Sequence, residues 1–328
     1  MQIFILTIIG LIAGFFGGML GIGGSLIMIP AMTEFLGPDQ HLYQAGAMIV
    51  TVFVALPAVY QHRRAMAIDG RTVARLMPVA ALTVVAGVWI SEWSLFAGDG
   101  EAYLRALFGL FVLCVVGYEL HKTLRRQPSL PLPDLREPPV DRDGTTPIDS
   151  APKRPGGWRL AAIVAVPTGL IAGLLGVGGG VVAVPLQQRF LGVGIRVAIA
   201  NSAAVIIATG LVGATVKNYA YMTTHANGLE PVCLAVVLIP MAVVGSLLGS
   251  RLTHRLPIRA VKIAFLLVML FVGIRLTGRA ITDLRQASAS GTVAVSAVLA
   301  RVPVQSGEEH RACVRLAQLS RGSAPMGM

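Results

Sequence analysis

One glycine-rich apolar sentence occurs twice in this chain, and it limits the fold more than any other feature. Residues 10–30 read GLIAGFFGGMLGIGGSLIMIP and residues 165–185 read AVPTGLIAGLLGVGGGVVAVP. At a constant offset of 155, Gly14, Gly18, Leu20, Gly21, Gly23, Gly24 and Pro30 fall on Gly169, Gly173, Leu175, Gly176, Gly178, Gly179 and Pro185. Six of these seven identities are Gly or Pro, so what is shared is above all a backbone shape. The chain reads as two copies of one unit. Each copy opens with an apolar helix that glycine interrupts, the kind of segment in which transporters place substrate.

Composition names the solvent. The chain is 55% hydrophobic and 13% charged, with a mean hydropathy of +0.72. Soluble domains carry about 25% charged residues. Apolar runs of 18 or more residues recur, which reads as membrane-spanning helix. The net charge of +11 sits in loops and in the tail, where it reports orientation and contact with anionic lipid headgroups. No basic stripe with interleaved aromatics is present, so nucleic acid is not an expected partner. Cys114, Cys233 and Cys313 are scattered and make neither a disulfide framework nor a metal site; Cys114 reads as a small core residue. The first segment lacks a basic n-region and recurs at 165–185, so it reads as mature structure rather than a signal peptide.

The spans follow in order. Residues 1–124 form a first repeat, with a broken stretch at 2–37 and spans at about 42–61, 72–91 and 103–121. Residues 125–157 hold eight prolines and mixed charges and read as a cytoplasmic linker. Residues 158–280 repeat the plan, with a broken stretch at 159–191 and spans near 196–217, 229–250 and 259–277. Residues 281–328 read as a polar, poorly ordered tail.

Thirty-six helical residues at 2–37 would extend about 54 Å, well beyond a hydrocarbon core of roughly 30 Å. The stretch must fold back or tilt. Gly21-Ile22-Gly23-Gly24 is the hinge, and Gly176-Val177-Gly178-Gly179-Gly180 is its counterpart. The backbone groups freed there cannot be left to lipid and must face protein, water or substrate.

Loop charge then bears on topology. The loop after the second element of the first half carries Arg63, Arg64, Arg71 and Arg75 against Asp69, and the next carries Glu92, Asp99 and Glu101. The second half exchanges the pattern: Lys217 against Glu230 first, then Arg251, Arg255, Arg259 and Lys262. Basic loops face the cytoplasm, so equivalent loops lie on opposite sides, as in an inverted-topology repeat. This requires re-entrant opening hairpins and three crossings per half. Arg275, Arg279 and the tail would then lie outside, against the rule; a parallel arrangement of eight spans remains the alternative.

The hinges are the candidate substrate site. Two helix N-termini converging near the membrane midplane offer free N–H groups and positive dipole ends to an oxyanion, with no charged side chain needed. The candidate residues are Gly21, Gly23, Gly24, Ser25, Gly176, Gly178, Gly179 and Gly180, joined by Asn201 and Ser202 early in the following span. Ser25 supplies a hydroxyl where the other copy has Gly180. Gly14, Gly18, Gly169 and Gly173 instead suit close helix packing. Thr51, Thr209 and Thr215 are weaker candidates, since Thr commonly bonds its own helix. No Asp or Glu falls near the middle of a span, and Lys217 is placed near a span end. No metal-ligand spacing, cofactor fingerprint or catalytic constellation is present, so an enzyme is not expected.

On these residues the chain resembles the sulfite exporter TauE/SafE family. The resemblance rests on the two glycine sentences, on the Asn201-Ser202 span start, on YQHRRAMAIDGR at 60–71 and on GSLLGSRLTHRLP at 245–257. It covers about 2–124 and 158–280. The first half departs at Gly87-x-x-x-Ser91, where the second has Gly245-x-x-x-Gly249. The resemblance implies a secondary carrier of sulfite, sulfonates or related sulfur or organic anions. The expectation is an all-α, multi-pass permease of the inner membrane, without cofactor, acting by alternating access on a small anion. It is embedded in lipid, with homo-oligomerisation left open. A passive anion channel and a membrane scaffold acting through its linker are the alternatives.

Overall fold

The computed structural model describes residues 2–64, 67–96, 100–124, 157–224, 228–252, 263 and 265–283. The linker and tail expected at 125–157 and 281–328 lie almost wholly outside them. The chain divides into two compact units, Met1–Ile281 and Thr282–Met328.

The described residues are helical. In chain order they form α1 (Gln2–Leu20), α2 (Ser25–Leu36), α3 (Gln40–Arg64), α4 (Gly70–Ser91), α5 (Glu101–Leu124), α6 (Trp158–Leu175), α7 (Gly180–Leu186), α8 (Ile195–Thr224), α9 (Glu230–Leu252) and α10 (Phe265–Asp283). A π-helical turn, Gln187–Leu191, carries α7 onward to Gly192, whose φ of +67° ends it. Eight of these helices are long and apolar enough to cross a membrane. Their outward faces carry Leu82, Trp89, Leu211, Val236, Leu267 and Phe271, all well exposed, which suits lipid rather than water. Cys114 and Cys233 are free and on exposed faces; the expected core role of Cys114 is therefore corrected, because α5 turns that residue outward.

Local chemistry sets the ends. Asp69 caps α4 by accepting from the N–H groups of Arg71 and Thr72. Four residues break α1 from α2, and Gly21, Gly23 and Gly24 take φ of +64°, +86° and +82°. The second break uses Gly176, Gly178 and Gly179 at +73°, +68° and +83°. These are left-handed angles that side-chain-bearing residues avoid.

Small residues let the helices meet backbone to backbone. Gly10, Gly14 and Gly18 of α1 lie against Leu238, Ala242 and Ser246 of α9, so the two run parallel. Gly169 and Gly173 of α6 lie against the Ala80–Val88 segment of α4, again in parallel. Thus the first helix of each half packs on the fourth helix of the other. Along α8, Gly210 meets Val52, Asn218 donates to the Ala45 carbonyl and Lys217 meets His41, so α3 and α8 run antiparallel. Gly109 against Thr277 and Gly273 against Val112 make α5 and α10 antiparallel as well.

Candidate functional site

The two breaks meet at the centre of the bundle. A Cβ on Gly180 would run into the Gly21 carbonyl and lie 2.8 Å from Ile22 Cα, so the second break is seated directly on the first. A Cβ on Gly23 would lie 2.6 Å from Thr51 Cγ2, and one on Gly178 would lie 2.9 Å from that same atom. Both would also approach Ile206 Cγ2, at 3.5 and 3.6 Å. Thr51 and Ile206 are themselves 155 residues apart, each near the middle of its helix. Each break also turns the chain back on its own first helix: Gly24 lies against Ala13, and Gly179 against Thr168, the position 155 residues on.

The freed carbonyls are partly satisfied. Ser202 Oγ donates to Gly21 O at 2.7 Å, and Thr209 Oγ1 donates to Gly178 O at 3.1 Å while also contacting its own helix. The breaks also release donors at the helix starts. Backbone bonding in α2 starts with the N–H groups of Ile27 and Met28 onto Gly24 O, and in α7 with those of Val182 and Ala183 onto Gly179 O. The N–H groups before them have no acceptor within their own helix. Two hydroxyls add to this donor field. Ser25 Oγ and Thr51 Oγ1 are fully buried and have no hydrogen-bond partner. A buried polar group left unpaired costs about 1–3 kcal/mol.

The breaks are closed in this structure. A cavity of about 60 Å³ beside them, lined by Leu20, Ile22, Val181 and Ile199 with Glu119 also contributing, has room for a few waters.

The structure thus brings together Gly21, Gly23, Gly24, Ser25, Gly176, Gly178, Gly179, Gly180 and Ser202, and it separates Asn201 from them. Asn201 Oδ1 accepts from the Asp69 N–H at 2.9 Å, and its Nδ2 donates to Gln187 Oε1 at 3.3 Å. That amide ties α8 to the α3–α4 loop and to the π-helical turn. Of the three threonines, Thr51 and Thr209 line the breaks, whereas Thr215 bonds Leu211 O on an exposed face. Gln44 escaped notice in the sequence. It packs on Gly176, with a Cβ there 2.9 Å from its Cγ, and its Nε2 donates to Leu174 O at 3.3 Å while its buried Oε1 has no partner. Its signal was an amide inside an apolar run. Lys217 was placed near a span end because the hydropathy fades there. The helix continues two turns further, to Thr224, and Lys217 is fully buried. Among the described residues, no group of three His, Cys, Asp or Glu side chains is placed to hold a metal ion.

Comparison with known proteins agrees with this architecture. The model of the sulfite exporter TauE/SafE family matches residues 6–276. The chain belongs to the sulfite exporter TauE/SafE family. Relatives carry matching descriptions. A probable membrane transporter protein MamO of Magnetospirillum gryphiswaldense is 29% identical over 286 residues, which is 83% of this chain and 44% of MamO. A probable membrane transporter protein YunE of Bacillus subtilis is 22% identical over 284 residues, 84% of this chain and 97% of YunE. The chain therefore spans less than half of MamO and nearly all of YunE. No solved structure matches. With eight spanning-length helices among its described residues, this member of the TauE/SafE family is a multi-pass membrane protein.

Proposed function

We propose that this TauE/SafE protein is a secondary carrier of a small sulfur-containing or organic anion, sulfite or a sulfonate foremost, and that the paired breaks are its binding site. The observation that carries the proposal is the pair of buried, unpartnered hydroxyls, Ser25 Oγ and Thr51 Oγ1, set among helix N-terminal N–H groups that have no acceptor in their own helix. Each helix N-terminus supplies roughly half a positive charge, so two together offset a monovalent anion in low dielectric. The donor set contains no fixed cation that would hold the anion too tightly for release. The close seating of one break on the other favours a carrier, whose breaks part and re-form, over an open channel.

The same reading gives the topology. The antiparallel pairs α3–α8 and α5–α10, with α1 parallel to α9 and α6 to α4, are what an inverted repeat produces. In that arrangement α1 starts at the end where α3 starts, and α2 brings the chain back to it. The opening segments are then re-entrant hairpins, although α1 and α6 have the length to cross. Arg63, Arg64 and Arg71 place their end in the cytoplasm of an inner-membrane protein, and the α4–α5 loop faces outward.

The test is flux of radiolabelled sulfite, sulfate, thiosulfate, taurine and sulfoacetate in proteoliposomes, wild type beside Gly178→Ala. Saturable flux of one of them, lost in the variant at equal protein content, supports the reading. Absence of flux for all five in the wild type contradicts the substrate class.

A further inference from the structure

Lys217 is buried where an isolated ammonium could not persist. Its three N–H donors are all used. Nζ lies 2.5 Å from Glu92 Oε1, 3.0 Å from Ser91 Oγ and 2.9 Å from His41 Nδ1. One residue of the second half is thereby pinned to the start of α3 and the end of α4 in the first.

His41 fixes the proton positions. Its Nε2 lies 2.9 Å from the Phe96 carbonyl, which only accepts, so Nε2 carries the hydrogen. Nδ1 then holds a lone pair, and Lys217 donates to it. The same Nδ1 lies 3.5 Å from Glu92 Oε1. It therefore stands between a cation that donates to it and a carboxylate ready to accept from it. A proton on Nδ1 removes the lone pair, sets an imidazolium against an ammonium and makes Glu92 the only acceptor in reach.

The surroundings suit that exchange. Asp39 precedes α3, Tyr43 follows His41 on the same helix, Glu101 and Arg105 face in from α5, Tyr221 from α8 and Glu230 from the start of α9. Asp39, Glu92, Glu101 and Glu230 outnumber the fixed cations Lys217 and Arg105, so a further positive charge is tolerated. For Glu92, burial acts to raise its carboxyl. The charge of Lys217 and its hydrogen bond act against this and hold the group well below its ordinary value, so it stays an ionised acceptor at neutral pH.

We infer that His41, Lys217 and Glu92 form the protonation site through which a proton gradient acts on this carrier. One proton on His41 Nδ1 breaks the Lys217–His41 bond, draws Glu92 to the imidazolium and loosens α8 from the end of α4. The step is a proton transfer: the Nδ1 lone pair takes a proton from hydronium, an N–H bond forms, water is left and no electrons change hands. The inference rests on the carrier reading above for its purpose, and on the triad alone for its movement.

His41→Gln tests it, because the amide N–H still donates to Phe96 O and the amide oxygen still accepts from Lys217, yet no proton is bound. The first arm needs no substrate. Nitroxide labels go on Trp93→Cys and Tyr219→Cys, both at exposed positions, with Cys114, Cys233 and Cys313 changed to Ser. Electron-spin distances are measured at about pH 8 and about pH 5.5, either side of ordinary histidine titration. A longer-distance population should appear in the otherwise wild-type chain at the lower pH and be lost in His41→Gln. An unchanged distance, or the same shift in His41→Gln, overturns the inference. The second arm uses proteoliposomes with a pH step of about one unit and radiolabelled sulfate and thiosulfate. Wild type should redistribute the carried anion up to about tenfold, and His41→Gln should retain exchange but lose the gradient response. An undiminished response in His41→Gln also overturns it. Wild type carrying neither anion counts against the proposed substrates, and the distance arm still decides the protonation site.

Discussion

The centre of the bundle and the end where α3 begins solve the same problem, polar chemistry inside apolar surroundings, in opposite ways. At the centre the polar groups are backbone N–H and carbonyl groups released by glycine, and both halves supply them at equivalent positions. At the end they are ionised side chains, and among the described residues this set is found there and not at the opposite end. On the paired helices α3 and α8, the positions 155 residues from His41 and Lys217 are Arg196 and His62, so the His–Lys pair is not repeated there. A backbone site tolerates drift in sequence and can stay doubled. A side-chain site needs every member, so one copy suffices and the other is free to change.

The largest expected effect comes from breaking the charged region. Glu92→Ala leaves Lys217 buried without a counter-ion and should cost about 3–5 kcal/mol of stability. Chemical denaturation in detergent measures this, and the double variant Lys217→Met with Glu92→Leu should regain most of it. Equal losses in the single and double variants would mean that the pair does not act as a unit.

Next is Gly178→Ala at the centre. Its φ of +68° and the nearness of Thr51 make a methyl costly, by about 1–2 kcal/mol for the backbone alone. Flux should fall far more than protein abundance does. Gly173→Leu makes the contrast, because its methylene would meet the α4 backbone at Val84 and Val88, so abundance itself should collapse.

Asn201→Ala sharpens the boundary of the site. Its side chain holds Asp69 N–H and Gln187, so the variant should lose about 1–3 kcal/mol of stability while the protein that folds keeps its affinity for substrate. A large loss of affinity would return Asn201 to the site.

The smallest effect is a pH slope. Glu92 lies below its ordinary value of 4.5, at about 2, so its contribution to stability is fully present above 4.5 and is lost as pH falls toward 2. Stability attributable to this carboxylate should be flat from neutral pH to about 5, and Glu92→Gln should lower that plateau and abolish the acid limb below it.

How much of this was legible in the sequence follows the same division. Glycine and proline act through the backbone within a few residues, so the breaks and the order of the spans could be read directly. The ionic cluster was out of reach, because His41, Glu92 and Lys217 come from three separate elements and only the antiparallel packing of α3 on α8 brings them together. Lys217 also misled through hydropathy, which marks where lipid exposure ends rather than where a helix ends. Asn201 and Ser202 are adjacent, yet on α8 they point about 100° apart, and only Ser202 turns toward Gly21.

The most direct test of the central claim is equilibrium binding of radiolabelled sulfite to the purified protein, comparing wild type with the double variant Ser25→Ala, Thr51→Val. Both substitutions keep volume close to that of the native side chains and remove only hydroxyls that have no partner within the protein. Stability should hold or rise, and saturable binding should weaken by about tenfold or more, the worth of one or two hydrogen bonds to an anion. Unweakened binding with unchanged stability would show that the anion lies elsewhere and that the paired breaks are a packing device.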